Sequence, residues 1–150
     1  MVSMTTLKRN YIFDDNIEDR YLMSNIIKAQ DFIINPLLGD DKYNELISEI
    51  NNNNVTELNE ILLKEKIEPI IAYYVLSEVI YTTAYKIKNN PISEDSPNEG
   101  RFDELVKLSS KYRRDSEQYQ QRLKYYLCDN NIVLDTEGMK NTFKTGFYLG

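Results

Sequence analysis

Few side chains in this 150-residue chain are of the types that perform chemistry. The sequence has no histidine and a single cysteine, Cys128, which excludes a histidine-activated nucleophile and the usual Cys/His zinc sites. Adjacent carboxylates at 14 and 15, 40 and 41, and 103 and 104 each fall where a helix is predicted to begin, and there they act as helix caps. The five glycines are scattered and form no phosphate-binding loop. We therefore predict no enzyme activity, no catalytic residue, no metal site and no cofactor.

Basic residues alternate with tyrosines near the end of the chain, a combination found in nucleic-acid-binding proteins. Asp115 and Glu117 interrupt the pattern, and the whole chain has a net charge of -6, which argues against a general nucleic-acid binder. A solvated helix face produces the same pattern. The charge is also segregated: residues 1–100 have a net charge of -8 and residues 101–150 a net charge of +2. Such segregation can orient subunits in an assembly, although a solvated acidic surface also produces it.

Hydrophobic residues at helical spacing predict an all-α bundle of about five helices. The first helix is predicted over 17–34, because Pro36 opposes its continuation. Asp40 begins a second helix, which ends at a run of four asparagines. A third helix is capped by Thr56 or Asn54.

The second half of the bundle contains its most apolar and its longest helix. Pro69 is expected to kink the third helix or to open a fourth. The stretch 70–87 is apolar on nearly every face, which predicts a helix at the centre of the bundle; Glu78 near its middle argues against a membrane span. The last helix is predicted over 102–130 from a face with spacings of three and four residues, formed by Leu105, Leu108, Tyr112, Ser116, Tyr119, Leu123 and Leu127.

This pattern divides the chain into an extended N-terminal arm at 1–13, a helical domain at 14–130 and an extended C-terminal tail at 131–150. The tail is predicted to be extended because its apolar residues show no helical spacing. No basic segment followed by an apolar run lies near Met1, so we expect the protein to remain in the compartment where it is made.

Three segments of the helical domain resemble the head-to-tail connector family of tailed phages, in particular the neck ring proteins of crAss-like phages. These segments are KAQDFIINPLLG at 28–39 with Tyr43, IEPIIAYYVL at 67–76 with Glu78, and YQQRLKYYL at 119–127. The resemblance covers about residues 10–130.

The resemblance implies a virion structural protein, made in the host cytoplasm. About twelve copies would form a ring beneath the portal protein and part of the DNA channel. Its partners would be further copies of itself, the portal and other neck or tail ring proteins, with transient contact to passing genomic DNA and none to a membrane. The alternative is a small cytoplasmic helical regulator that binds a partner protein or DNA, and a hydrolytic enzyme is a more distant possibility.

Three groups of side chains are candidates for contacts in such a ring. Aromatic residues of the tail are expected to contact the portal or the ring, basic residues of the last helix to contact the acidic part of a neighbouring copy, and acidic residues of the loop 89–100 to face another ring or the lumen. The three groups are Phe143, Phe147 and Tyr148; Lys107, Arg113 and Arg114; and Glu94, Asp95 and Glu99.

Overall fold

A computed structural model describes residues 1–11, 17–89 and 98–132, and this part of the chain folds into five helices without a β-strand. The predicted all-α class is confirmed. The helices are α1 (Met4–Asn10), α2 (Asp19–Ala29, a π turn at Gln30–Ile34, and Asn35–Leu38), α3 (Asp40–Asn51), α4 (Glu57–Ile61, a π turn at Leu62–Ile67, and Glu68–Lys88) and α5 (Asn98–Asp129).

The first helix corrects the prediction of an extended arm at 1–13. Ser3 caps α1, since its hydroxyl accepts a hydrogen bond from the backbone N–H of Thr6 at 3.1 Å. Leu7 is completely buried against the bundle, and Lys8 forms an ion pair with Asp19 of α2 at 2.7 Å. A cap and one buried leucine are enough to make the segment helical, although it is too short to show a clear apolar period.

Two prolines lie inside continuous helices rather than at helix ends, which corrects the predicted end of the first helix at residue 34. Pro36 and Pro69 each sit two residues after a π turn, in the sequences Ile34-Asn35-Pro36 and Ile67-Glu68-Pro69. A proline ring clashes with the carbonyl four residues earlier and has no N–H to donate. The wider π turn accommodates both effects, so α2 continues to Leu38 and α4 to Lys88.

The boundaries of α3 agree with the sequence analysis. Gly39 adopts a φ of 77°, which ends α2 and allows α3 to begin at Asp40. After α3 the asparagine run turns the chain, and Asn53 has a φ of 51° in the left-handed region that asparagine tolerates. α4 then begins after Thr56, one of the two predicted caps.

The two longest helices form an antiparallel hairpin. α4 and α5 each extend for about 48 Å at the normal helical rise. Buried serines fix their relative position: Ser109 donates to the carbonyl of Ser77 and Ser116 to the carbonyl of Ile70, both at 2.9 Å. Small side chains at these positions allow the two backbones to approach closely.

The hydrophobic core lies on α4 and is covered on two sides. Ile70, Ile71 and Val75 have no exposed surface, which confirms a buried helix over residues 70–79, whereas Tyr81 and Tyr85 in the second half of the predicted stretch are exposed. α2 packs on one side of α4, and Leu123 and Leu127 of α5 close the other. In the described part of the chain, no helix has the length and apolarity needed to cross a membrane.

Candidate interaction surfaces

The three basic residues predicted to lie between subunits have different surroundings. Lys107 and Arg114 are exposed and seven residues apart, so they lie on one face of α5. Neither forms an ion pair with another described residue. Arg113 differs, because it donates a hydrogen bond to Glu78 and its guanidinium carbon lies 5.6 Å from the ring centre of Tyr74. Among the described residues, Lys107 and Arg114 therefore have no charged partner, whereas Arg113 already has one.

Glu78 joins three helices through its carboxylate. Only 18% of its side chain is exposed, and it pairs with Arg113 of α5 and, at 3.5 Å, with Lys28 of α2. The adjacent Tyr74 hydroxyl, followed by Glu78, raises the pKa of Lys28, which keeps this amine charged. The single carboxylate in the middle of the apolar helix is thus a link between α2, α4 and α5.

Three tyrosines and two cations form a row that we call the tyrosine ladder: Lys111, Tyr112, Tyr73, Tyr119 and Arg122. The ring centre of Tyr73 lies 5.9 Å from that of Tyr112 and 5.6 Å from that of Tyr119, in nearly parallel stacks. Lys111 lies 5.1 Å from the centre of the Tyr112 ring, and Arg122 lies 4.9 Å from that of Tyr119. Tyr73 thus has a ring on each side, and the two outer rings each carry a cation.

α2 presents an apolar stripe to solvent, formed by Met23, Ile27 and Phe32. The spacings of four and five residues follow one face because the second step enters the wider π turn. Phe32 is 75% exposed, an unusual environment for a phenylalanine in a single folded copy. The stripe has the character of a contact surface.

A second uncovered surface, the acidic corner, is formed by the exposed side chains of α3 and the start of α4 (residues 40–65). Seven acidic and two basic residues give it a net charge of -5. Leu58 is 50% exposed there, and the nearby Ile61 is also exposed. The acidic corner combines exposed apolar side chains with an excess of carboxylates.

The third uncovered surface is the α5 patch, formed by the exposed side chains of residues 105–128, with Tyr125 near its C-terminal end. This segment contains six basic and two acidic residues, a net charge of +4. Tyr125 is 63% exposed. The α5 patch therefore has the opposite charge to the acidic corner and a large aromatic side chain of its own.

A buried asparagine holds the acidic corner in shape. Asn59, which is 1% exposed, donates to Glu45 at 3.0 Å and to Glu49 at 2.8 Å, connecting α4 to α3. Hydrogen bonds from Lys42 and then Asn59 lower the pKa of Glu45, and bonds from Asn59 and the Thr56 backbone lower that of Glu49. Sequence reasoning missed this network, because a lone asparagine carries no signal of its partners.

Two groups of predicted contact residues cannot be placed on these surfaces. Glu94 and Asp95 of the loop and Phe143, Phe147 and Tyr148 of the tail lie outside the described residues, and Glu99 falls in the first turn of α5. Within the described part of the chain, no three His, Cys, Asp or Glu side chains are arranged to hold a metal ion.

Comparison with known proteins gives one match. Residues 34–133 match the model of a family of unknown function, DUF6712, so that the match runs from the end of the α2 π turn to just beyond α5. No curated protein and no solved structure matches the chain. Because the match covers two thirds of the sequence, this chain belongs to the DUF6712 family.

Proposed function

We propose that this chain is a virion structural protein that forms a ring in the phage neck, beneath the portal. The observation that carries the proposal is that one copy leaves two unlike surfaces uncovered, the acidic corner and the α5 patch. A ring needs such a pair, because each copy contacts the next through two different surfaces. The similarity of three segments to neck ring proteins supports the same function.

The remaining partners are assigned by chemistry. The α2 stripe is apolar and suits a neighbouring virion protein, such as the portal or another neck or tail ring. The tail residues Phe143, Phe147 and Tyr148 are proposed to contact the portal. Acidic loop residues facing the lumen would repel DNA and keep its contact with the ring transient. No catalytic residue, metal or cofactor is part of this function.

The tyrosine ladder weighs against the alternative of a DNA-binding regulator. Proteins that bind single strands offer bare aromatic faces to the bases. Here Tyr73 is enclosed by two rings, and Tyr112 and Tyr119 each carry a cation. The faces of these rings are consequently less available to stack on bases.

The experiment is to look for the protein in purified particles of the virus that encodes it. Mass spectrometry should detect the chain in the particles at a constant ratio to the portal protein. Electron cryo-microscopy should show it as a ring on the portal axis. Absence from purified particles, combined with abundance in the infected cytoplasm, would favour the regulator.

A further inference from the structure

We infer that the ring closes by packing the acidic corner of one copy onto the α5 patch of the next. This inference rests on the proposed ring, and it names the contact that forms it. The occupant of each surface is thus a second copy of this chain.

Charge is the first argument for this pairing. The acidic corner has a net charge of -5 and the α5 patch +4, so the surfaces attract each other and like surfaces repel. Repulsion between like surfaces opposes a dimer in which each patch meets the same patch of the other copy.

Exposed apolar side chains are the second argument. Leu58 and Ile61 are exposed within the acidic corner, and Tyr125 is exposed within the α5 patch, one turn from Arg122. Contacts of this type derive most of their affinity from a few buried apolar or aromatic residues, while the surrounding charges set orientation and rate. Each surface supplies one such centre.

Mixing two variants tests the pairing. Leu58→Ser damages only the acidic corner and Tyr125→Ser only the α5 patch, and both side chains are exposed, so the fold remains intact. Sedimentation of the full chain at increasing concentration should show self-association of the wild-type protein beyond dimers. Each variant alone should associate about tenfold more weakly. In an equal mixture, the intact α5 patch of Leu58→Ser can bind the intact acidic corner of Tyr125→Ser with wild-type affinity. Association should then stop at dimers, because every further contact would involve a damaged surface.

A matched control and an internal reporter sharpen the test. Tyr85→Ser removes an exposed tyrosine that packs on Phe102, at the end of the hairpin opposite to Tyr125 and Leu58, and should associate like the wild type. Cys128 is exposed one turn from Tyr125, so its alkylation should slow as copies associate.

A wild-type protein that stays monomeric, variants that associate normally, or a mixture that gains no dimer would each overturn the pairing. Detection of the chain in virions is independent: its absence beside normal dimer recovery would overturn the neck function and leave the contact standing.

Discussion

Two neighbouring arginines on α5 should respond differently to the same substitution. Arg113 binds Glu78 and packs on Tyr74, whereas Arg114 is exposed and forms no ion pair with a described residue. We therefore expect Arg113→Glu to destabilise the monomer and Arg114→Glu to leave its stability unchanged. The sequence alone predicts equal behaviour, because both residues belong to one basic run.

The magnitude follows from the surroundings of Glu78. Half of the Arg113 side chain is exposed, so loss of its ion pair costs about 1 kcal/mol. Loss of the contact with Tyr74 costs about 0.5 kcal/mol at such a site. The new carboxylate at position 113 is repelled by Glu78. Because Lys28 lies 3.5 Å from Glu78 and solvent screens the charges, this repulsion costs about 0.5 kcal/mol. A destabilisation of about 2 kcal/mol lowers the Tm of a domain this size by about 4–8 °C.

Thermal unfolding of both variants, followed by circular dichroism, measures the difference. A double-mutant cycle with Glu78→Gln should give a coupling of about 1 kcal/mol between residues 78 and 113 and none between 78 and 114. High salt should shrink the difference between the two variants, because it screens a half-exposed pair. If Arg113→Glu and Arg114→Glu have the same Tm, the ion pair between Arg113 and Glu78 does not stabilise the bundle and our interpretation of this site is wrong.

Three further perturbations test the packing of the bundle. Ser116→Leu should cost about 2 kcal/mol by forcing α4 and α5 apart, while Ser110→Leu on the exposed side of α5 should cost almost nothing in denaturant unfolding. Asn59→Ala should lower the free energy of unfolding by about 2 kcal/mol, because it removes the hydrogen bonds that lower the pKa values of Glu45 and Glu49. The difference from the wild type should shrink as the pH falls below about 4.5, and unfolding measured across pH tests this. Burial, reinforced by Glu68, raises the pKa of Tyr11 to about 12. The contribution of neutral Tyr11 to the free energy of unfolding is therefore complete below about pH 10 and is lost as the pH rises through 12. Tyr11→Phe should abolish this pH-dependent loss of stability. The same variant should lack the last tyrosinate step of an absorbance titration.

Helix positions were largely predictable, because apolar spacing and caps are local signals. Gly39, Asp40 and Thr56 mark boundaries through their own backbone preferences, and the structure agrees at all three. The two π turns were not predictable in the same way. Proline signals only that a regular α-helix cannot continue, and whether the chain stops or widens depends on packing against the rest of the bundle.

The long seam of α5 shows a second limit of periodicity. Leu108 fits the helical spacing of the predicted apolar face, yet it is exposed, and its neighbour Ser109 is buried. Helix packing at this level selects the small residue, because Ser109 bonds to the backbone of Ser77 across the hairpin. A hydrophobicity pattern predicts that leucine is buried in preference to serine. The short distance between the two helices reverses this order, because only a small side chain fits between them.

The basic run of α5 gives the clearest case of what a sequence leaves undetermined. Its interleaved tyrosines are compatible with nucleic-acid binding, a solvated face or a subunit contact, and two partners on α4, Tyr73 and Glu78, lie far away in the sequence. Tyr73 stacks between Tyr112 and Tyr119, which carry Lys111 and Arg122, and Glu78 binds Arg113. Only the basic residues without such partners, Lys107 and Arg114 among them, remain to attract the acidic corner of another copy, so a charge reversal at Arg114 is a cleaner test of assembly than one at Arg113.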